Sequence, residues 1–121
     1  MKFKFFVSIT LLFGVFALSA QDTPQTGASA EMTAKFKVYG NCGMCEKRIE
    51  KAAKIDGVAF ADWDVDTKIL TVTFDANKVK PAQIHKAVAA AGHDTEKVKA
   101  PDEVYAELPE CCRYERDDKN R

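Results

Sequence analysis

The chain lacks any excess of charge: eighteen Lys and Arg balance eighteen Asp and Glu over 121 residues. A neutral balance gives no reason to expect nucleic acid or anionic lipid as a partner, since both are bound through basic surface. Also missing are an internal repeat, a pair of carboxylates set in a motif, and a nucleophile with an orienting base. General acid–base and covalent catalysis need such groups, so the chain reads as a non-enzyme. Long apolar runs are absent as well. The one candidate, residues 5–18, is broken only by Ser8 and Thr10 and loses its character at Gln21, short of the roughly 20 apolar residues that span a bilayer.

That run is better explained as an export signal. Lys2 and Lys4 make a basic start, and Ala17, Ser19 and Ala20 supply small residues before Gln21, the arrangement a signal peptidase reads. Cleavage is expected after Ala20 or Ser19. Removing residues 1–20 takes away two lysines and no acid, which leaves a mildly acidic, exported, periplasmic protein without a membrane insertion. Residues 21–32 are small, polar and aperiodic and are expected to form a flexible leader, because they bury too little apolar area to offset ordering.

From Ala34 the pattern changes. Phe36 and Val38 alternate with Lys35, Lys37 and Tyr39, the period-two mark of a half-buried strand. A helix is predicted over residues 44–54, with Ile49, Ala52 and Ala53 on its inner face, ended by Asp56-Gly57. A second strand over 58–65 would place Ala59, Ala61, Trp63 and Val65 on one face. Asp66-Thr67 turns the chain into a third strand marked by Leu70, Val72 and Phe74. Pro81 opens a second helix, with Ile84, Val88 and Ala91 as its apolar stripe and Gly92 as its stop; residues 95–99 read as a last strand. Strand, helix, strand, strand, helix, strand is the ferredoxin-like α+β order, which predicts a four-stranded antiparallel sheet with two helices on one face.

The four cysteines stand as Cys42-x-x-Cys45 and as the adjacent pair Cys111-Cys112. An even count in an exported chain invites a disulfide reading, but Cys42 and Cys45 are too close in sequence to staple distant parts of a fold. Placed where a strand gives way to a helix, they can turn both sulfurs to one point. The helix N-terminus favours the thiolate, and thiolates select soft ions. The same spacing also serves thiol–disulfide exchange or half of a zinc site, and these alternatives stay open on spacing alone.

The stretch Val38-Tyr39-Gly40-Asn41-Cys42-Gly43-Met44-Cys45, followed by Ile49-Glu50-Lys51-Ala52, Ile55-Asp56-Gly57-Val58, residues 70–75 and Ala90-Ala91-Gly92-His93, resembles the heavy-metal-associated domain family. That family includes copper chaperones, metal-binding domains of metal-transporting ATPases and periplasmic mercury-binding proteins. The resemblance covers residues 34–99 and defines a domain over 33–99 with a cysteine-containing extension over 100–121. It implies Cys42 as the exposed entry thiol and Cys45 as its partner, copper(I) as the first-choice ion with mercury(II) or zinc(II) as alternatives, and a membrane metal transporter or other metal carrier as partner. The protein would act as a monomer or a metal-bridged dimer.

The family usually carries a methionine two residues before the first cysteine, where this chain has Gly40. Met44 is expected to fill that space from between the cysteines; the alternative is a thioether facing solvent near the metal. His93 falls at the cysteine end of the predicted sheet, as a third ligand, a compensating charge or a capping residue. His85 is expected to face water without a role. In the extension, Pro101 and Asp102 should open a short helical turn carrying Val104, Tyr105 and Leu108. Cys111 and Cys112 then have three readings: thiolates added to a shared metal site, which is preferred, a redox-sensitive link to the CxxC pair, or a free tail that binds metal with a partner. The charged end, residues 115–121, reads as solvated.

Overall fold

The computed structural model describes residues 30–116. The expected signal over 1–20, most of the leader and the last five residues lie outside the described residues. Alternation in the sequence becomes a three-stranded antiparallel sheet in the order β1-β3-β2, with β1 at Glu31–Lys37, β2 at Val58–Trp63 and β3 at Ile69–Asp75. Glu31 and Met32 therefore belong to the sheet rather than to the leader. Phe36 pairs with Leu70 and Ala34 with Val72 on one side of β3, while Ala61 pairs with Val72 and Trp63 with Leu70 on the other. Those side chains line the inner face, where Phe36, Ala61, Trp63, Leu70, Val72 and Phe74 are buried.

Two helices, α1 at Gly43–Ala53 and α2 at Pro81–Ala90, bring Cys45, Ile49, Ala53, Ile84 and Val88 into the same core. Pro81 opens α2 at its first position, and the Gln83 Oε1 accepts a hydrogen bond from the Lys80 N–H at 2.8 Å. Gly57 and Gly92 stop the helical segments with φ of 95° and 108°, backbone that disfavours a side chain. Among the described residues no helix is long and apolar enough to cross a membrane.

Three local expectations need correction. A register shift between Val58 and Phe60 breaks the alternation of β2, so Ala59 faces out and the buried set starts at Ala61; Val65 lies beyond the strand and is exposed. The inner stripe of α2 uses Ala89 in place of Ala91. Most importantly, the sheet has three strands, not four. The segment predicted as a fourth strand pairs only through a single bridge, Val38 to Thr95. Thr95 curls it away: its Oγ1 accepts from the backbone N–H of Lys97 and Val98 at 3.2 and 3.0 Å, a local turn that competes with a ladder. Asp94 Oδ1 adds to this by accepting from Ala100 N–H at 2.7 Å.

The extension folds back over the domain. A short helix, α3, spans Asp102–Ala106, and a single 3-10 turn spans Glu110–Cys112. Tyr114 pins it: the phenol donates to the Gly92 carbonyl at 2.9 Å and accepts from Asp94 N–H at 2.7 Å, fully inside the fold. Leu108 closes over Gly92, where an added Cβ would meet it at 2.9 Å. Arg116, expected to be solvated, is instead a clamp whose side chain is 9% exposed; it pairs with Asp94 at 3.0 Å and Asp102 at 2.6 Å and lies over the Tyr105 ring.

Candidate metal centre

Cys42 sits at the N-cap of α1 in extended backbone, and its carbonyl accepts the Glu46 N–H at 3.1 Å. Cys45, one turn into the helix, is fully buried. The doubled-back extension sets its 3-10 turn against α1. As a result the Cys42 sulfur has three sulfur neighbours: Cys45 at 3.4 Å, Cys112 at 3.6 Å and Cys111 at 3.7 Å. All four cysteines are free thiols. The sulfurs of Cys42, Cys45 and Cys112 lie within 4.8 Å of one another. Cys42 and Cys111 open onto a depression also lined by Met44, Lys47 and Glu50.

The thiols differ in acidity. Burial would raise the Cys42 thiol, but the backbone amide of Cys45 and the thiols of Cys45, Cys112 and Cys111 outweigh it and bring it down to about 7. Burial pushes Cys45 up to about 11, aided by the Cys112 and Cys42 thiols, against the Asn41 N–H that donates to its sulfur at 3.4 Å. Cys112 is also raised by burial, although Cys45 and the Arg48 side chain beside it pull the other way. One half-exposed thiol close to ionisation thus stands over two buried ones. Soft-ion uptake can begin at Cys42 and draw the others in as their protons leave.

The remaining predicted residues divide. Met44 does not pack beneath the loop: its side chain is 53% exposed and its thioether lies 3.6 Å from the Cys111 sulfur. Trp63 takes the space instead, since a Cβ on Gly40 would come within 3.0 Å of its ring and of the Cys45 Cβ. The indole N–H donates to the Val38 carbonyl at 3.0 Å and fixes it there. His93 is near the loop but outside the converging set. Its ring is fully buried, and its Nδ1 lies 2.8 Å from the Tyr39 carbonyl; a carbonyl only accepts, so Nδ1 carries the proton. Burial, chiefly, keeps its pKa below the usual value.

His85 does not face water. It is buried, stacks on Phe36 with ring centres 3.8 Å apart, and lies 2.6 Å from the Thr95 Oγ1. Two residues that matter here gave no chemical signal in the sequence: Arg48 beside Cys112 and Tyr114 beneath the extension. A pointer to the first correction did exist, because a glycine in a slot that usually holds methionine requires another side chain to occupy the gap.

Fold and thiols together define a small α+β metal-binding domain with a cysteine cluster at one end of its sheet. The heavy-metal-associated domain model matches residues 38–94. A curated relative, the copper chaperone CopZ of Staphylococcus haemolyticus (strain JCSC1435), is 34% identical over 55 residues, covering 45% of this chain and 81% of that protein. Oxidized MerP from Ralstonia metallidurans CH34 superposes with a TM-score of 0.52 at 33% identity, over 55% of this chain and 96% of its own. The N-terminal domain of a potential copper-translocating P-type ATPase from Bacillus subtilis, in the Cu(I)-loaded state, gives 0.51 at 30% identity over 54% and 84%. This chain belongs to the heavy-metal-associated domain family. The matched region ends at Asp94, so Cys111 and Cys112 lie beyond it.

Proposed function

We propose that this protein is an exported, non-enzymatic carrier of a soft metal ion, copper(I) first, which it takes up at Cys42 and Cys45 and passes on by thiolate exchange. The observation that carries the reading is the convergence of the Cys42, Cys45 and Cys112 sulfurs. Thiolates favour copper(I), mercury(II) and zinc(II) over hard ions, and spacing separates these three. An ion held in line between two sulfurs needs them roughly 4.6 Å apart at a bond of about 2.3 Å, whereas Cys42 and Cys45 stand 3.4 Å apart. Three sulfurs at this spacing suit three-coordinate copper(I) better than two-coordinate mercury(II), and zinc(II) asks for a fourth ligand around the same point.

Transfer follows from the asymmetry of the thiols. An acceptor thiolate can add to the ion at the half-exposed Cys42 side while Cys45 still holds it, so the ion moves without being released. Likeness to a copper-translocating ATPase domain supports a membrane metal transporter as the acceptor. Export is supported by the basic start at Lys2 and Lys4, the apolar run 5–18 and the small residues Ala17, Ser19 and Ala20.

A second reading, thiol–disulfide exchange, is favoured by one observation: a thiol near 7 sits 3.4 Å from a buried partner near 11. Anaerobic copper(I) titration of the reduced protein against a chromophoric chelator, beside Cys42→Ser, separates the two. Tight binding that Cys42→Ser abolishes is expected for the carrier. A reduced wild type unable to compete for copper(I), yet reacting with a model disulfide faster than free cysteine, would move the exchange reading to the front.

A further inference from the structure

The sulfurs form two triangles that share an edge. Cys42, Cys45 and Cys112 make the first. Cys42, Cys111 and Cys112 make the second, with separations of 3.7, 3.6 and 3.8 Å. On the outer side of the second triangle stands the Met44 thioether, 3.6 Å from the Cys111 sulfur. Cys111 is outside the set of sulfurs that all lie within 4.8 Å of one another, so a single ion held by all four would require one of them to move. Two ions, one on each triangle, require no such movement.

We propose that the outer triangle binds a second soft metal ion, with Cys42 and Cys112 bridging the two ions, Cys45 terminal on the inner one, Cys111 terminal on the outer one, and Met44 as an added thioether donor. The proposal rests on the carrier reading of the inner triangle. A thiolate sulfur keeps lone pairs after making one metal bond and can make a second, and thiolate and thioether donors select the same soft ions. The four thiol protons leave to solvent as the ions bind. Two monovalent ions then neutralise two of the four thiolate charges.

The surroundings suit the remaining negative charge. Arg48 lies beside Cys112, and its Nη1 is buried with no hydrogen-bond partner among the described residues, a donor left over in the free-thiol state. Lys47 stands at the rim of the depression; Glu46 and Glu50 line the same depression and act against it. With a shared edge of 3.6 Å and bonds of about 2.3 Å, the two ions would lie at most about 2.9 Å apart.

The test is copper(I) loading of the reduced full chain without oxygen, counting ions by chelator competition. X-ray absorption is recorded on the loaded protein, and sedimentation reports its mass. The expected result is two ions per monomer with a metal–metal distance at or below about 2.9 Å. In Cys111→Ser/Met44→Leu, both changes falling on exposed side chains, the count should drop to one and the metal–metal signal disappear, while Cys42, Cys45 and Cys112 still hold the first ion. Saturation of the wild type at one ion would overturn the second site and leave the carrier reading standing. Two ions without a short metal–metal distance, a variant that still takes two, or a short distance found only in a dimer would overturn it as well. No uptake at all would remove both readings.

Discussion

Gly40 is held glycine by its neighbours rather than by its own backbone. A Cβ there would press on the Cys45 Cβ and on the Trp63 ring at 3.0 Å each, and neither can yield, because Cys45 is buried and the indole is tied to Val38. Gly40→Ala should cost about 1–3 kcal/mol, read as a lower denaturant midpoint at an unchanged slope. His85 gives a second residue-scale expectation. Thr95 Oγ1 already accepts two backbone N–H groups, so its hydroxyl proton is free to go to the His85 Nδ1, which suits the neutral ring. Burial, with Lys97 nearby, depresses the folded-state pKa below the usual histidine value of about 6.5. The folded state therefore binds fewer protons than the unfolded one below that value, so stability is full above about pH 6.5 and falls as pH drops. Thermal melts of the metal-free protein from pH 7.5 to 5 should show the decline, and His85→Phe should flatten part of it, leaving the shares of His93 and of the Cys42 thiol, which also loses its stabilisation as pH falls through about 7.

Among the elements, the extension is the one whose stability can be separated from the rest. Tyr114 joins it to the loop after α2 through two buried hydrogen bonds, at 2.9 Å to Gly92 and 2.7 Å to Asp94. Burial, with the Asp94 charge, pushes the phenol up to about 12, so it stays a donor at neutral pH. Tyr114→Phe strands a carbonyl and an N–H, at about 1–3 kcal/mol. The loss should appear as faster hydrogen exchange over residues 104–116 and faster alkylation of Cys112, with the sheet unchanged. The inner faces of β1 and β3 and the apolar stripes of α1 and α2 could be read in the sequence because burial shaped their periods; β2 could be read only from Ala61 on, because a register shift between Val58 and Phe60 breaks its alternation. The fourth strand could not: its extended pattern is overruled by the Thr95 hydroxyl and the Asp94 carboxylate, which capture backbone N–H groups locally. Placing Cys42 and Cys45 at a helix start needed only spacing. Bringing Cys112 to them depended on a tyrosine, a leucine and an arginine finding partners elsewhere in the chain, which no local pattern announces.

For the molecule as a whole, the separation of Cys42 and Cys112 in sequence matters as well as their identity. An ion held by both ties the extension to the domain, and binding to the docked form alone stabilises that form by mass action. Loading with copper(I) should therefore slow exchange in residues 104–116 more than in β1 or β3, a difference that peptide-resolved hydrogen exchange measures directly and that Cys112→Ser should erase.

The clamp at Arg116 gives the molecule a clock. Because Arg116 grips Asp94 and Asp102 while lying over Tyr105, release of the extension is expected at a rate set by those contacts together with the Tyr114 hydrogen bonds and any ion that Cys112 shares, and not by whatever approaches from outside. Handover that needs Cys112 to let go can proceed no faster than that release. In stopped-flow mixing with a thiol-rich acceptor, the observed rate should level off as acceptor concentration rises. Arg116→Ala should lift the plateau and the initial slope together, because a weaker clamp also raises the fraction of molecules already released.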